Sequence, residues 1–520
     1  KDGRIAKIGQ ISQTKAERVI DATNLIVSPG FIDAHAHSDI TLLVNPKAES
    51  HIRQGITTQV IGLCGFSAAP LTTTRTGKEK LSVKMGGYLY QDVELYKVNV
   101  NWTTFREYFN RLEKQGIALN ICSYVAHGTI RACVDLLEDR APSEEEMEKM
   151  KILIAEAMED GAIGLSTGLS YAPGCYSKTE EIAELCKVVA KYGGHYASHI
   201  RGYNVRIFEA TEEATEIGFR AGIPVEISHF LPGPDNSGKA KELLELCDEA
   251  RSNGLDVTVD NDTYLIDDMW AVALLPDWAV KGGRDKMIER LKDSRVREEI
   301  KRDTIEKGAE SGGSVCRSLI KMGRWDFIWL GVSQRNQEFI GKTFPEIAKL
   351  RGLKDPFDAL FDILIEEEGK VMCNVQHKLQ KDIDEILCYP YSMLMTDGKC
   401  VAPYGPLKNI RVPRYYGTFP RFLGRYVRER GLLRLEEAIR KMTSLPAQRL
   451  GLKNRGLIKD GMWADLTIFD PKSIIDTATL GDPQRYPEGI EYVLVNGHVV
   501  VERGEHTGIL PGKVLRHKVD

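Results

Sequence analysis

Two histidines one residue apart, in the run Asp33-Ala-His-Ala-His37, are the first residues of this chain whose types and spacing suggest chemistry. Residues two apart on a β-strand leave the same face, so Asp33, His35 and His37 project together. Two imidazoles so placed can hold one divalent metal ion, with Asp33 free to orient one of them from behind. His199 and His229 each end a further apolar, strand-like run, and Cys64 ends another. A thiolate is a good ligand for a borderline ion such as zinc. Asp397, in Met395-Thr-Asp-Gly398, ends a last such run. A carboxylate there can bind the metal, or act as general base toward water and then as acid toward a leaving nitrogen. Singly, each residue has a plainer reading: a strand-end histidine with a local partner, a packed cysteine, an aspartate capping a turn before glycine. Four histidines at three strand ends, with Cys64 and Asp397 at the same rim, point instead to metal-dependent hydrolysis of an amide. Of the eleven histidines, His51, His377, His498, His506 and His517 read as structural. His127 and His195 lie on strands, but His195 starts its strand and faces the wrong end.

The elements that must position these residues repeat regularly. Strand-like runs at Phe31–His37, Thr57–Cys64, Asn120–His127, Gly161–Thr167, His195–Ile200, Pro224–His229, Asp256–Asn261 and Ser392–Asp397 alternate with helical stretches, the signature of βα units. One helix, Ser143–Asp160, opens on Ser143-Glu-Glu-Glu146, a capping box. Eight such strands predict an α/β fold of the (β/α)8 kind, with its active site at the C-terminal strand ends. The long interval between Asn261 and Ser392 reads as an insertion, about 265–390, that roofs the barrel mouth. It carries its own strand near Asp326–Val332 and helices near Phe344–Leu350 and Pro356–Glu367. Before Pro29-Gly30 and after about Leu452 the texture changes to short strands and turns. Residues 1–29 and 453–520 are therefore expected to form one small β-domain beside a barrel spanning 30–452. Asp2-Gly3 followed by a strand-like run looks like the middle of a hairpin, which suggests an upstream strand beyond Lys1.

Composition excludes several classes. The 520 residues are 42% hydrophobic and 28% charged, with 70 Lys plus Arg against 74 Asp plus Glu, as in an ordinary globular enzyme. No basic stripe suggests nucleic acid, and no apolar run approaches the roughly 18 residues of a membrane helix. The ten cysteines form no framework, so they read as reduced thiols in a cytoplasmic protein. The expected partner is a small-molecule substrate; oligomeric state stays open.

The run Ser28-Pro-Gly-Phe-Ile-Asp-Ala-His-Ala-His37 resembles the opening of the amidohydrolase superfamily. Gly55-Ile-Thr-Thr and Val60-Ile-Gly-Leu-Cys-Gly-Phe-Ser67 are similar to the N-acyl-D-amino-acid deacylase (D-aminoacylase) branch. So are Gly164-Leu-Ser-Thr-Gly-Leu-Ser-Tyr-Ala-Pro-Gly174, Tyr196-Ala-Ser-His-Ile-Arg201, Ile227-Ser-His229 and Tyr416-Gly-Thr-Phe-Pro420. The resemblance implies that Cys64, His199 and His229 hold one zinc ion firmly. It gives His35 and His37 a second, weaker position bridged through Cys64, and makes Asp397 the catalytic acid/base. Hydantoinase-like relatives bridge with a lysine of the fourth strand, and Gly161–Gly168 has none. For the substrate it implies Tyr171 and Tyr264. Arg201 and Arg414 are candidate carboxylate forks, although Arg201 could equally be a loop ion pair and the tyrosines wall residues. Departures fall on specificity positions: Leu231 stands where the family carries a lysine, Tyr203 where it carries a glutamate, Val412 where it carries a histidine, and Asn261-Asp-Thr-Tyr264 replaces Gln-Tyr-Pro-Tyr. The implied reaction is deacylation of N-acyl-D-amino acids. The rivals are hydrolysis of a cyclic amide, a carbamoyl group or a dipeptide, and a barrel that only binds.

Overall fold

The structure, a computed structural model, describes residues 1–11, 16–72, 88–308 and 316–517. Eight parallel strands form the centre, in chain order around a closed barrel: Phe31–Asp33, Ile56–Ile61, Asn120–Ser123 continuing as Val125–Ala126, Gly164–Gly168, His195–His199, Val225–Ile227, Val257–Asn261 and Ser392–Leu394. The third strand bends at the buried Tyr124, so that its first half pairs with the second strand and its last two residues with the fourth. Closure between the first and last strands is made by the Ala34 amide donating to the Leu394 carbonyl and by a parallel bridge between Ala36 and Gly398. These strands are buried almost throughout, as expected when helices cover one face and the barrel interior the other. The helix Glu144–Glu159 starts as expected, with Ser143 and Glu146 capping each other's backbone.

Between the seventh and eighth strands, where the sequence suggested a single strand with helices, the chain forms a three-stranded sheet. Ile266–Trp270, Met372–Gln376 and Ile328–Val332 pair antiparallel, with Met372–Gln376 in the middle. Helices Phe344–Arg351 and Pro356–Glu366 pack on this sheet, and a separate apolar core including Leu330, Phe361 and Val375 holds the unit together. Its first strand and the residues after its middle strand are aimed at the barrel mouth.

Both chain ends meet in one sheet in which Ile26–Pro29 pairs with Leu466–Phe469, followed by Ile490–Val495, His498–Glu502 and Glu505–His506. Phe469 of that sheet packs against Phe31 of the barrel, ring centroids 6.3 Å apart. Beyond the eighth strand, helix Arg414–Arg421 runs on as a π-helix, Phe422–Glu429, which sets Arg414 at a helix start facing the barrel mouth. Among the described residues no helix is long and apolar enough to cross a membrane.

Candidate active site

The C-terminal ends of the barrel strands bring His35, His37, Cys64, His199, His229 and Asp397 together. Cys64 Sγ lies 3.3 Å from His35 Nε2 and 3.3 Å from His229 Nε2. His229 Nε2 is in turn 3.0 Å from His199 Nδ1. On the other side, Asp397 Oδ1 is 2.9 Å from His37 Nε2 and 3.6 Å from His35 Nε2. His35 thus stands between two donor groups, one with Cys64 and His229, the other with His37 and Asp397.

Backbone conformation helps to aim them. Cys64, His229 and Asp397 all have positive φ, 53°, 36° and 44°, a region costly for residues with a side chain and held here by the surrounding structure. Gly168 permits the close approach beside Cys64, since a Cβ there would lie 2.4 Å from the Cys64 carbonyl oxygen. The Tyr171 hydroxyl donates to that same carbonyl at 2.6 Å.

A shell behind these groups fixes their orientation. Asp260 Oδ2 accepts from His35 Nδ1 at 3.2 Å, which leaves the Nε2 lone pair facing Cys64 and Asp397. The other oxygen of Asp260 accepts the backbone N–H of His229. Burial pushes Asp260 up to about 7 and, with Asp260 beside it, holds Glu226 well above the ordinary range. Asp33 accepts from the His35 backbone N–H at 3.5 Å rather than from its ring, whose Nδ1 is taken by Asp260. Asp33 also accepts from the Thr396 amide at 2.8 Å and the Thr396 hydroxyl at 2.7 Å, and so fixes the residue preceding Asp397. Ser170 Oγ holds His199 Nε2 at 2.5 Å, and the Tyr203 ring packs against both His199 and His229 with centroids 4.9 Å away.

This donor set fits a metal. Burial lowers all four imidazoles, His199 to about 3, leaving them neutral with lone pairs to give. Burial and the charges of Asp397 and Asp260 raise the Cys64 thiol well above its ordinary value, an effect that a divalent cation at the thiol reverses. Zinc with bonds of about 2.0–2.3 Å needs neighbouring ligand atoms roughly 3.3–3.7 Å apart, close to the 3.0–3.6 Å found here. Burial works to raise Asp397 too, but Arg414, with His37 and His35, outweighs it and holds the carboxyl well below the usual range.

The candidate substrate residues divide. Tyr171 lies at the cluster, stacked on Phe66 and 4.8 Å from the His199 ring. Arg414 is there as well, its Nη1 donating to Asp397 Oδ2 at 2.7 Å. Tyr264 is buried one layer away, its hydroxyl on Asp476 at 3.2 Å and its ring under Arg421. Arg201 is engaged by Glu213 through both Nε and Nη2 at 2.8 Å, and donates to the carbonyls of Cys175 and Ser177.

Several neighbours of the site escaped the sequence reading. Asp260 and Glu226 carry a signal, charge inside buried barrel strands. Asp267, Asp268, His377 and Lys378 come from the insertion, where no periodicity marks them. Arg414 donates to Asp268 Oδ1 through Nε at 3.0 Å and Nη2 at 2.5 Å. His377, read as structural, lies 2.7 Å from Asp267, and Lys378 is gripped by Asp262 and Asp267.

The model of the amidohydrolase family matches residues 18–299 and 394–501, leaving out most of the insertion. The chain is 34% identical over 513 residues to a D-aminoacylase of Alcaligenes xylosoxydans xylosoxydans, covering 98% of this chain and 92% of that one. It is similar in structure to the N-acyl-D-glutamate deacylase of Bordetella bronchiseptica complexed with zinc and a phosphonate mimic of the tetrahedral intermediate. There the TM-score is 0.79 and the identity 29%, over 99% of this chain and 94% of that one. A D-aminoacylase described as having a binuclear metal centre is similar at a TM-score of 0.77 and 31% identity, with the same coverage. With its barrel, its histidine, cysteine and aspartate rim and a match running through nearly the whole length, the chain belongs to the amidohydrolase family.

Proposed function

We propose that this protein is a zinc-dependent deacylase that hydrolyses N-acyl-D-amino acids to a D-amino acid and a carboxylate. The carrying observation is the convergence, at the C-terminal end of the barrel, of two donor groups that share His35, one with Cys64 and His229 and one with His37 and Asp397, with His199 against His229. The names of the similar proteins agree with this reaction. Cys64, His199 and His229 would hold a firmer zinc ion, and His35 and His37 a second, weaker one. When bound, the ion polarises the carbonyl oxygen and lowers the pKa of water toward ~7. Asp397, a carboxylate beside His37, accepts the proton that water loses as its oxygen adds to the carbonyl carbon. As the C–N bond breaks, Asp397 returns that proton to the leaving nitrogen. Arg414 holds the far oxygen of Asp397, leaving the one nearest His37 to work. Tyr171 and Arg414 line the substrate's path, and Arg201, held by Glu213, and Tyr264, held on Asp476, shape the wall behind them. The substrate is a small molecule of the cytoplasm.

The test is acetate release by the zinc-loaded protein from N-acetyl-D-leucine and its L-enantiomer, with ring opening of a hydantoin alongside. Turnover of the D-compound above both others is expected; turnover of only the cyclic compound would overturn the proposal.

A further inference from the structure

We infer that Asp267 and Asp268 set the side-chain charge this site accepts, selecting against N-acyl-D-amino acids with acidic side chains. This rests on the deacylase reading above. Both residues belong to the inserted strand Ile266–Trp270, and between them they engage Arg414, which reaches the cluster through Asp397, and Lys378. Arg414 gives Nε and Nη2 to Asp268, and Nη1 to Asp397 at 2.7 Å and Asp267 at 3.4 Å. The Tyr415 hydroxyl pins the other Asp268 oxygen at 2.9 Å. Lys378 lies between Asp262 and Asp267, the latter at 2.6 Å. Arg201 is held by Glu213 and two carbonyls. Leu231, buried and apolar, follows Ser228-His229-Phe230.

Four carboxylates, Asp262, Asp267, Asp268 and Asp397, therefore face two fixed cations, Lys378 and Arg414. One divalent ion offsets this excess of two negative charges, and the Cys64 thiolate that would hold it restores one, so the site has no positive charge to spare for a second substrate carboxylate. A second carboxylate, as in an acyl-D-glutamate, would have to displace a protein carboxylate from a cation whose side chain is 4% or less exposed, where removing a partner is costly. The specificity follows from these pairs.

The test compares N-acetyl-D-glutamine with N-acetyl-D-glutamate, which differ in one charge at nearly constant shape. For the zinc-loaded wild type, kcat/KM is expected to favour the glutamine compound by about tenfold or more, or about 1.4 kcal/mol. In D267N and D268N that ratio should fall by roughly fivefold, because each releases a cation while keeping the shape. Equal rates, or preference for glutamate, in the wild type would overturn this inference and leave the deacylase reading intact. An unchanged ratio in variants of native zinc content would overturn the assignment to these aspartates. If neither compound nor N-acetyl-D-leucine is hydrolysed, the deacylase reading itself fails. The wild-type pair decides the selectivity even if a variant does not fold.

Discussion

Cys64 Sγ stands 3.3 Å from His229 Nε2, although 165 residues separate them in the chain. No hydrogen bond of ordinary strength needs a thiol there, while a zinc ion does. Cys64→Ala should therefore lose most of the tightly bound zinc, and kcat/KM should fall by at least about 10²-fold, the upper range for disturbing even a supporting group of a metal ligand. Zinc per chain, measured by elemental analysis of dialysed protein, checks this; native zinc content in the variant would contradict it.

Asp397 is fixed by His37 and Arg414 rather than by apolar packing. Asp397→Asn keeps the shape and removes the base, so kcat should fall by about 10²–10⁴ with the firmer zinc retained. Steady-state rates and metal content together separate this from collapse of the site. A rate within a few-fold of wild type would remove Asp397 from the mechanism.

Asp260 acts one step further back, through the Nδ1 of His35 and the backbone of His229. Asp260→Ala should weaken zinc binding by roughly 10–100-fold, as loss of a ligand's orienting carboxylate does elsewhere. Competition against a chelator reads this directly. Unaltered affinity would mean that the histidines hold their orientation without it.

Arg131 and His127 converge on Glu181, Arg131 giving Nη1 to both carboxylate oxygens at 2.7 Å, all of them buried. Burial alone would raise Glu181, but His127 and Arg131 outweigh it and hold it below 4.5. A lowered folded value means that the carboxylate's stabilisation is complete above the unfolded value and fades as pH falls through the folded one. Arg131→Met leaves a buried charge without its partner and should cost about 3–5 kcal/mol near neutral pH. The deficit should shrink under acid. Denaturant unfolding at several pH values measures it, and a loss that does not vary with pH would show that packing, not charge, is at stake.

The barrel was legible because its strands are short, apolar and β-branched, and because helices with capping signals such as Ser143-Glu-Glu-Glu146 separate them. The rim was legible for a related reason: His35, Cys64, His199, His229 and Asp397 stand at or just past those strands' ends, and strand periodicity alone carries them to one side. The second layer was harder. Asp33 lies two residues from His35, yet it serves Thr396 on the neighbouring strand, because barrel closure sets that pairing. Asp260 reaches His35 across 225 residues, a contact that spacing cannot show. The strand Ile266–Trp270 carries two adjacent aspartates and looks nothing like an apolar run. It forms because Met372–Gln376 pairs with it, and it places Asp267 and Asp268 on Arg414. The reading of Arg201 and Arg414 as candidates for a substrate carboxylate, with a loop ion pair as the alternative for Arg201, did not count distant acids: Glu213 engages Arg201, and Asp268 and Asp397 engage Arg414.

The most direct test of the account titrates zinc into chelator-treated protein while N-acetyl-D-leucine hydrolysis is followed. The apo-protein should be inactive and regain activity over about the first equivalent, as a site with one firm position requires. Full activity without metal, or none at any zinc level, would contradict it.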